Sequence, residues 1–516
     1  MKTFNLLIGI VLIGSTWVSA GPPEKKEVVF PEPFAFAIDD LGWMEGNNTG
    51  YEGRTGPYRA GIDRNFDVDD YRAIVEVGKR VGVRIQGLFV LAEMDRLQLL
   101  RDYPTTTWER DNWNNLEHIG PQQIKVMNYV KNHAAHLEFG LHGVGHEYWP
   151  RDGVRKRGEW YNLEDDHPWP ESTLKAHMEA FKSIMRQYGI SRENGHSFPE
   201  SFVPCAYSYY WNPQGDYSLG SLLSDQGVKY ANTLFDSIPE LDPPEGPNAG
   251  GLDHGMLVIN RHNYGNLWYQ LSAVPTTPIR QQGSRIVESH FTNWLAQGEF
   301  RQDVATNRFV QYYQNVQKLP ERYVAKNTEQ FYSQWLYHKY VQFQQVSSQE
   351  WMIDNRTMPD VVYENDLLGN MVVKVPLQKG EHLQRARVNG QPVAAYYEDQ
   401  GYGYIYLPPL NQEKYRLQVV KGPQVEMPHI YNDGTYNVYQ FQHQKDRAKF
   451  KLRMYGRQDV RLRGLSMDTP VSVTSAEEGI KILDHQYHPG KKELVITMEA
   501  HDIQGETGWI QVKQAR

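Results

Sequence analysis

The pattern of apolar and polar positions divides the chain into two parts. Between residues 34 and about 300, short apolar runs alternate with longer segments whose apolar residues recur at helical spacing. The predicted strands are 34–38, 83–91, 137–141, 196–203, 256–260 and 285–289, and the predicted helices are 69–82, 122–136, 173–188 and one that ends at 222–227. Strands that alternate with helices predict a parallel sheet or a (β/α) barrel.

Beyond residue 300 the pattern changes twice. Residues 303–348 are rich in Gln and Tyr and are predicted to be helical. After about residue 355, turn residues separate short predicted strands at 371–375, 402–407, 415–420, 449–454, 460–465, 471–474, 493–498 and 509–512. Such a series is typical of β-sandwiches. We therefore expect a barrel domain over residues 21–350, a β-sandwich module over 351–422 and a second β-sandwich module over 423–516.

The first 20 residues have the parts of an export signal. Lys2 supplies a positive charge, residues 6–13 form a short apolar run, and Val18-Ser19-Ala20 is a small-residue cleavage site. The apolar run is too short to cross a bilayer. We therefore expect an exported protein, periplasmic or secreted, without a membrane span. Because Cys205 is its single cysteine, no internal disulfide is expected.

Composition excludes one class of partner and leaves another open. The formal net charge is −8, and no run of Lys and Arg forms the basic surface that nucleic-acid binding requires. Aromatic residues make up 12% of the chain, with 33 Tyr and 13 Trp. Flat aromatic rings can stack on sugars, although the same residues also fill the cores of β-domains. Composition is thus compatible with a carbohydrate partner and predicts no oligomeric state.

Two adjacent carboxylates, Asp39 and Asp40, follow directly after the first predicted strand. Because adjacent side chains point in different directions, one carboxylate can bind a cation while the other acts as a base. Taken alone, such a pair is more typical of a solvated turn.

A second polar motif is the His-x-x-x-His pair of His142 and His146, which follows the strand predicted at 137–141. Two imidazoles at this spacing can reach one divalent ion, with Zn–N distances of about 2.0–2.1 Å. Gly143 and Gly145 lie between them and favour a loop or a frayed first turn over a regular helix.

Two further motifs also follow predicted strands. Pro204 and Tyr207 belong to a proline turn that can offer backbone N–H groups to a developing oxyanion. Cys205 in the same turn is expected to be a small buried residue rather than a nucleophile. His290 ends the strand at 285–289, where a lone histidine is more often structural than catalytic. Polar motifs that follow strands fit a site at the carboxyl face of a barrel.

The order and spacing of the four motifs resemble those of the polysaccharide deacetylase family, also called the NodB-homology family or carbohydrate esterase family four. The resemblance spans residues 34 to about 300 and implies a distorted (β/α) barrel with fewer than eight repeats. It implies that Asp39 is the general base, and that Asp40, His142 and His146 bind Zn²⁺ or another divalent transition metal. It also implies that His290 is the general acid.

The resemblance assigns the surroundings of the site as well. Pro204, Tyr207 and Trp294 are expected to contact the oxyanion or the substrate. The family carries an Arg near the proline motif that orients the base, whereas residues 201–203 of this chain are Ser-Phe-Val. Arg261 or Arg59 is expected to take its place.

The acid also needs a neighbour that stabilises its protonated form. A carboxylate beside the second nitrogen of His290 would serve, and Asp63 and Asp67 are the candidates that the sequence offers. Glu288, two residues before His290, occupies a position where the family has an apolar residue.

The function that the resemblance implies is hydrolytic removal of acetyl groups from an N-acetylated polysaccharide. An O-acetyl esterase with the same site and a non-catalytic glycan-binding protein are the alternatives. A glycoside hydrolase would need two carboxyl groups about 5–9.5 Å apart that flank the scissile bond. The adjacent Asp39 and Asp40 do not provide that arrangement.

Overall fold

The computed structural model describes residues 28–46, 62, 64–116, 120–235, 249–298, 301–393, 395–425, 427–444, 447–467 and 471–514. The export signal predicted at residues 1–20 lies outside these residues, as do Arg59 and Asp63, so the corresponding predictions remain predictions. Within the described residues, every helix is too short or too polar to cross a membrane.

The first part of the fold alternates strands with helices. Its strands are β1 (Glu32–Phe34), β2 (Phe36–Leu41), β3 (Gln86–Val90), β4 (Gly140–Gly143), β5 (Ser201–Phe202), β6 (Tyr230–Thr233), β7 (Gly250–Asp253), β8 (Met256–His262), β9 (Ile286–His290) and β10 (Arg322–Val324). Its α-helices are α1 (Val68–Val81), α2 (Pro121–Asn132), α3 (Glu171–Arg186), α4 (Leu219–Ser224), α5 (Phe291–Trp294), α6 (Arg301–Gln317) and α7 (Thr328–Tyr340).

Seven of these strands close into a parallel barrel. Their order is β2-β3-β4-β5-β6-β8-β9, and β9 pairs with β2 to complete the ring. The parallel pairing of β6 with β8 bridges the point where β7 runs antiparallel along the other edge of β8. A barrel followed by β-domains is therefore confirmed, although β6 had no counterpart among the predicted strands.

Local sequence explains where the barrel elements begin and end. The Asp67 side chain accepts the backbone N–H of Asp69 at 2.9 Å, and the Asp70 side chain accepts the N–H of Asp67 at 3.1 Å. This capping box starts α1, and Gly82, with a φ of 74°, ends it. Strand β2 is buried along its whole length, as expected for a parallel strand that is covered on both faces.

The second part of the fold consists mostly of strands. They are β11 (Gln342–Ser347), β12 (Glu350–Asp354), β13 (Met371–Pro376), β14 (His382–Val388), β15 (Gln391–Pro392), β16 (Ala395–Asp399), β17 (Tyr402–Leu407), β18 (Lys414–Gly422), β19 (His429–Tyr431), β20 (Asn437–Gln444), β21 (Arg447–Met454), β22 (Arg457–Arg463), β23 (Val471–Ser475), β24 (Ile480–His488), β25 (Glu493–Ala500) and β26 (Glu506–Gln514). One short helix, α8 (Asp360–Glu364), follows β12.

These strands form three sheets, and two of them cross the boundaries predicted from the sequence. The orders are β11-β12-β18-β14-β15, β13-β17-β16-β19-β22-β25-β24 and β20-β21-β26-β23. The second sheet takes strands from both predicted modules, because β16 pairs with β19. Residues 351–422 and 423–516 therefore share a sheet and are not two separate sandwiches. Residues 342–347, predicted to be helical, form β11 because they pair in a hairpin with β12.

The C-terminal sheets pack against the amino-terminal end of the barrel. Arg453 in β21 forms ion pairs with Glu200, which precedes β5, and with Glu329 in α7, at 3.2 Å for Glu329. Arg84, which precedes β3, donates to the carbonyl oxygen of Ile503 at 3.0 Å. One buried apolar cluster combines side chains of the barrel strands, α7 and the C-terminal strands. The amino-terminal end of the barrel and the β-domains therefore share a core. The carboxyl ends of the barrel strands lie at the other end of the barrel, away from the β-domains.

Candidate active site

The carboxyl ends of the barrel strands surround a cavity of about 320 Å³. Its lining consists of Asp39, Asp40, His142, His146, Arg157, Pro204, Ala206, Tyr207, Trp268 and His290. Asp39 in β2 and His290 in β9 are register partners on adjacent parallel strands. The barrel thus brings together seven of the eight side chains that the sequence assigned to the site, and Trp294 is the exception.

Asp40, His142 and His146 face one another in the cavity wall. Asp40 Oδ1 lies 3.4 Å from His142 Nε2 and 3.7 Å from His146 Nε2. All three residues are buried. His142 Nδ1 hydrogen-bonds to the backbone carbonyl oxygen of Val203 at 2.7 Å, which assigns the proton to Nδ1 and leaves the lone pair of Nε2 directed at the carboxylate.

The electrostatics of this trio favour an ionised carboxylate. Burial alone would raise the pKa of Asp40, but the nearby imidazoles of His142, His146 and His290 hold it well below its usual range. Burial also lowers the pKa of His146 to about 3, so this imidazole is neutral at physiological pH. For His142, burial is outweighed by the negative charges of the nearby Asp40 and Asp39 carboxylates, and its pKa is raised.

These donors fit a divalent transition metal. One carboxylate oxygen and two imidazole nitrogens are a common zinc ligand set, and ligands of one tetrahedral Zn²⁺ lie roughly 3.3 Å apart. Asp40 Oδ1 is buried without a hydrogen-bond donor among the described residues, which is costly for an anionic atom that no cation compensates. Cys205 is also near both histidines. However, its thiol donates to the His142 carbonyl oxygen at 3.2 Å and burial raises its pKa, so it is a poor ligand.

The segment between the two histidines is a tight loop, not a helix. His142 belongs to β4 and His146 lies in the turn that follows it. A Cβ atom on Gly143 would lie 2.3 Å from Glu159 Oε2, and one on Gly145 would lie 1.8 Å from the Thr106 carbonyl oxygen. Both positions therefore require glycine, which agrees with the expectation of a loop.

Glu159 stabilises this loop through hydrogen bonds to its backbone. The sequence did not predict a role for this residue. Its buried carboxylate accepts the backbone N–H groups of Val144 and His146, each at 2.9 Å. His177 Nδ1 hydrogen-bonds to the same carboxylate at 2.9 Å, and His177 Nε2 lies 2.9 Å from the hydroxyl of Thr105. Such outer partners orient metal ligands. A glutamate 13 residues after His146 offers no recognisable signal in the sequence alone.

Arg261 in β8 pairs with Asp39. Its Nη1 donates to Asp39 Oδ2 at 2.9 Å and its Nη2 donates to Asp39 Oδ1 at 3.2 Å. Arg261 is fully buried, and its Nε lies 3.5 Å from Glu288 Oε2. Although burial opposes the charge, Asp39 and Glu288 raise the pKa of Arg261 further. A two-pronged pair of this kind holds a carboxylate in one orientation. Of the two arginines that the sequence offered, Arg261 therefore lies at the predicted place.

The carboxylate beside His290 is Glu288. His290 Nδ1 lies 3.4 Å from Glu288 Oε1, and Glu288 is fully buried in β9. Asp67, one of the two candidates from the sequence, instead caps α1. This candidate was wrong because Asp67 precedes a helix, where its side chain satisfies backbone N–H groups. Residues 288 and 290 lie on the same face of a strand, so the alternation of side chains was a usable signal.

The proline turn contributes side chains to the cavity, but one of its N–H groups is already used. The Tyr207 N–H donates to the Pro204 carbonyl oxygen at 3.2 Å, so it is engaged within the turn. The Tyr207 hydroxyl donates to Glu288 Oε1 at 2.8 Å and accepts from Asn263 Nδ2 at 3.1 Å. Tyr207 thus supports the carboxylate that lies beside His290.

Trp294 lies away from the cavity. Its indole is buried and stacked on Phe309 with ring centroids 3.5 Å apart, and its Nε1 donates to the Ser289 hydroxyl at 3.0 Å. The tryptophan that lines the cavity is Trp268, whose ring centroid lies 5.4 Å from that of His290. Trp268 follows β8 in an irregular segment that the sequence pattern did not mark.

Four residues of the cavity lining have strained backbones. Asp40, His146, Ala206 and Tyr207 all have left-handed backbone conformations, with φ values of 65°, 68°, 53° and 60°. For non-glycine residues such conformations cost about 1–3 kcal/mol each and tend to cluster at functional sites. The fold therefore holds two of the three metal-ligand candidates in strained positions.

Comparison with known proteins does not assign the chain to a family. No family model matches the chain, and no curated protein matches it. Among solved structures, one similar chain is the catalytic module of a family 98 glycoside hydrolase from Streptococcus pneumoniae TIGR4, in complex with the H-disaccharide blood group antigen. The alignment covers 94% of this chain and 98% of that one, at 9% identity and a TM-score of 0.16. A similarity this low carries no argument about fold or activity.

Proposed function

We propose that this protein is a metal-dependent hydrolase that removes acetyl groups from an N-acetylated polysaccharide. The observation that carries the proposal is the position of Asp40 Oδ1, 3.4 Å from His142 Nε2 and 3.7 Å from His146 Nε2, next to Asp39, which Arg261 holds in place. Zn²⁺ or another divalent transition metal held by the trio would polarise an acyl carbonyl and lower the pKa of water.

Asp39 is the general base of the proposed reaction. Both of its oxygens accept from Arg261, which fixes the plane of the carboxylate beside Asp40. Each oxygen keeps a second lone pair, and one of these can accept the proton of the attacking water. Because Arg261 and Asp39 are both buried, water cannot screen their pairing.

His290 is the general acid. Its Nδ1 lies beside Glu288, so Nε2 is the nitrogen that can give a proton to the leaving group. An amine leaves poorly unless it is protonated as the carbon–nitrogen bond breaks. The products are acetate and a free amine on the glycan. With an O-acetyl ester the alcohol needs less help from this acid, and this is the main alternative on the same site.

The pairing of Asp39 with Arg261 bears on the non-catalytic alternative. The absence of an Arg near the proline turn left the proposed base without an orienting partner, and this was the reason to keep a glycan-binding protein as an alternative. Arg261 supplies that partner from β8, so this argument no longer applies. Among the described residues, the cavity lining ends at His290, so the C-terminal sheets supply no reacting group.

The experiment is an acetate-release assay on N-acetylated oligosaccharides with metal removed and restored. Asp39→Asn should lose about 10²–10⁴-fold in turnover, because an amide cannot accept the proton. Asp303→Asn, an exposed change on α6, is the matched control and should retain activity. No acetate from any N-acetylated substrate, or full turnover by Asp39→Asn, would overturn the proposal.

A further inference from the structure

The cavity lining includes an aromatic residue and a cation to which the proposed reaction gives no role. They are Trp268, beside His290, and Arg157. Arg157 is an exposed residue, and its charge acts on His146 and on Glu147. One part of the lining is thus aromatic, and the part near His146 carries a cation.

Arg157 is the last of three consecutive basic residues, 155–157, and their side chains have different surroundings. Arg155 Nη1 pairs with the buried carboxylate of Glu147 at 3.3 Å. Lys156 Nζ pairs with Asp165 at 2.8 Å. Of the three side chains, only that of Arg157 is among the residues that line the cavity. Arg157 is therefore the cation of this run that belongs to the cavity.

The backbone around Arg157 is fixed on both sides. Lys156 exchanges two backbone hydrogen bonds with Tyr148, at 3.1 Å and 2.9 Å. Gly158 has a φ of 91°, and a Cβ atom there would lie 2.7 Å from the Cβ of Ser208. The Arg157 N–H donates to Glu164 Oε1 at 2.8 Å. The residue is therefore held at the rim of the cavity by contacts that do not involve its side chain.

We propose that Arg157 binds an anionic substituent of the glycan, so that the substrate is an acidic acylated polysaccharide. A planar guanidinium binds carboxylate or sulfate oxygens through paired, charge-assisted hydrogen bonds. The charge of Asp39 does not oppose this, because Asp39 is paired with Arg261. The indole of Trp268 offers an apolar surface for a sugar ring in the same cavity.

The reaction in this inference rests on the proposed function, whereas the binding does not. The test therefore measures dissociation constants by calorimetry and acetate release in parallel samples. The probes are an unsulfated chondroitin oligosaccharide, its carboxyl-reduced neutral form and a sulfated form of the same length. The proteins are the wild type, Arg157→Gln, Arg157→Lys and the control Arg151→Gln, which removes an exposed arginine outside the cavity lining.

The wild type and Arg151→Gln should bind an acidic oligosaccharide about tenfold more tightly than its neutral form. Arg157→Gln should lose this preference, and Arg157→Lys should keep part of it. A preference for the uronate identifies the anion as a carboxylate, and a further gain with the sulfated form identifies it as a sulfate.

Equal binding of all three probes by the wild type, absence of binding by both acidic probes, or a preference that survives in Arg157→Gln would overturn the inference. Failure of the proposed function gives a different pattern, in which the preference persists but no sample releases acetate.

Discussion

Replacement of Arg261 by methionine tests the pairing that orients Asp39, the proposed base. Methionine has a similar length but no charge, so Arg261→Met removes the cation with little change of volume. Asp39 then keeps a buried carboxylate without its two hydrogen-bond donors, and Glu288 loses a cation 3.5 Å away. The exposed fractions of the Arg261 and Asp39 side chains are 0% and 3%, so water cannot replace the lost partner.

The expected magnitude follows from this burial. Removal of one partner of a buried ion pair typically costs about 3–5 kcal/mol, whereas an exposed pair contributes about 0–1 kcal/mol. Arg261→Met should therefore lower the free energy of unfolding by about 3–5 kcal/mol. Asp39→Asn, added to Arg261→Met, removes one of the stranded carboxylates and should recover about 1–2 kcal/mol, so the two changes are not additive.

The assay is urea unfolding of the wild type, both single variants and the double variant at one pH. Arg356→Met is the matched control, because Arg356 pairs at 2.8 Å with Asp354 but is 59% exposed. It should leave the free energy of unfolding nearly unchanged, because solvent screens an exposed pair. A loss below about 1 kcal/mol for Arg261→Met, or additive effects in the double variant, would refute the interpretation of this pair.

Three further changes test other parts of the site and fold. His290→Ala should reduce turnover of an N-acetylated glycan about 10²–10⁴-fold but reduce that of an aryl acetate far less; equal losses would remove the acid role. Glu159→Gln places an amide against the N–H groups of Val144 and His146, so metal affinity in a chelator competition should fall about 10–100-fold. Unchanged affinity would show that Glu159 does not position the loop. Burial lowers the pKa of His429 to about 4, whereas the unfolded chain binds that proton near pH 6.5. The free energy of unfolding is thus not reduced by this imidazole above pH 6.5, and it falls by about 3 kcal/mol as the pH is lowered towards 4. His429→Gln should show a shallower loss of unfolding free energy in that window, and identical slopes would contradict this.

The parts of the site that the sequence predicted are those encoded locally. Asp39 and Asp40 end an apolar run, and His290 ends another, so their place at the carboxyl end of the barrel follows from the alternation of strands and helices. His142 and His146 are near each other in sequence, and the glycines between them already indicated a loop. Local spacing was sufficient for these residues.

The partners of these residues depend on how the barrel closes. Arg261 and Asp39 are 222 positions apart and meet because β9 lies between β2 and β8 in the sheet. No local pattern distinguishes Arg261 from Arg59. Glu288 was visible as a charge on the same strand face as His290, but a charged residue in a buried strand was interpreted as a departure from the family instead of a partner.

The β-domains show the same limit on a larger scale. Short strands after residue 355 were predicted, but strand order depends on contacts between distant residues. The pairing of β16 with β19 joins the two predicted modules. No local pattern in the sequence of either segment predicts this pairing. The sequence of residues 342–347 has no strong preference for helix or strand. These residues form a strand because they pair with β12.

The metal content of the purified protein tests the proposed metal site most directly. Wild type equilibrated with Zn²⁺ and then freed of loosely bound ions should retain about one equivalent per chain in elemental analysis. His146→Ala should retain almost none, because it removes one of the three proposed ligands, and the exposed control His443→Ala should match the wild type. Wild type without metal after equilibration, or an unchanged metal content in His146→Ala, would contradict the assignment of Asp40, His142 and His146 as the metal site.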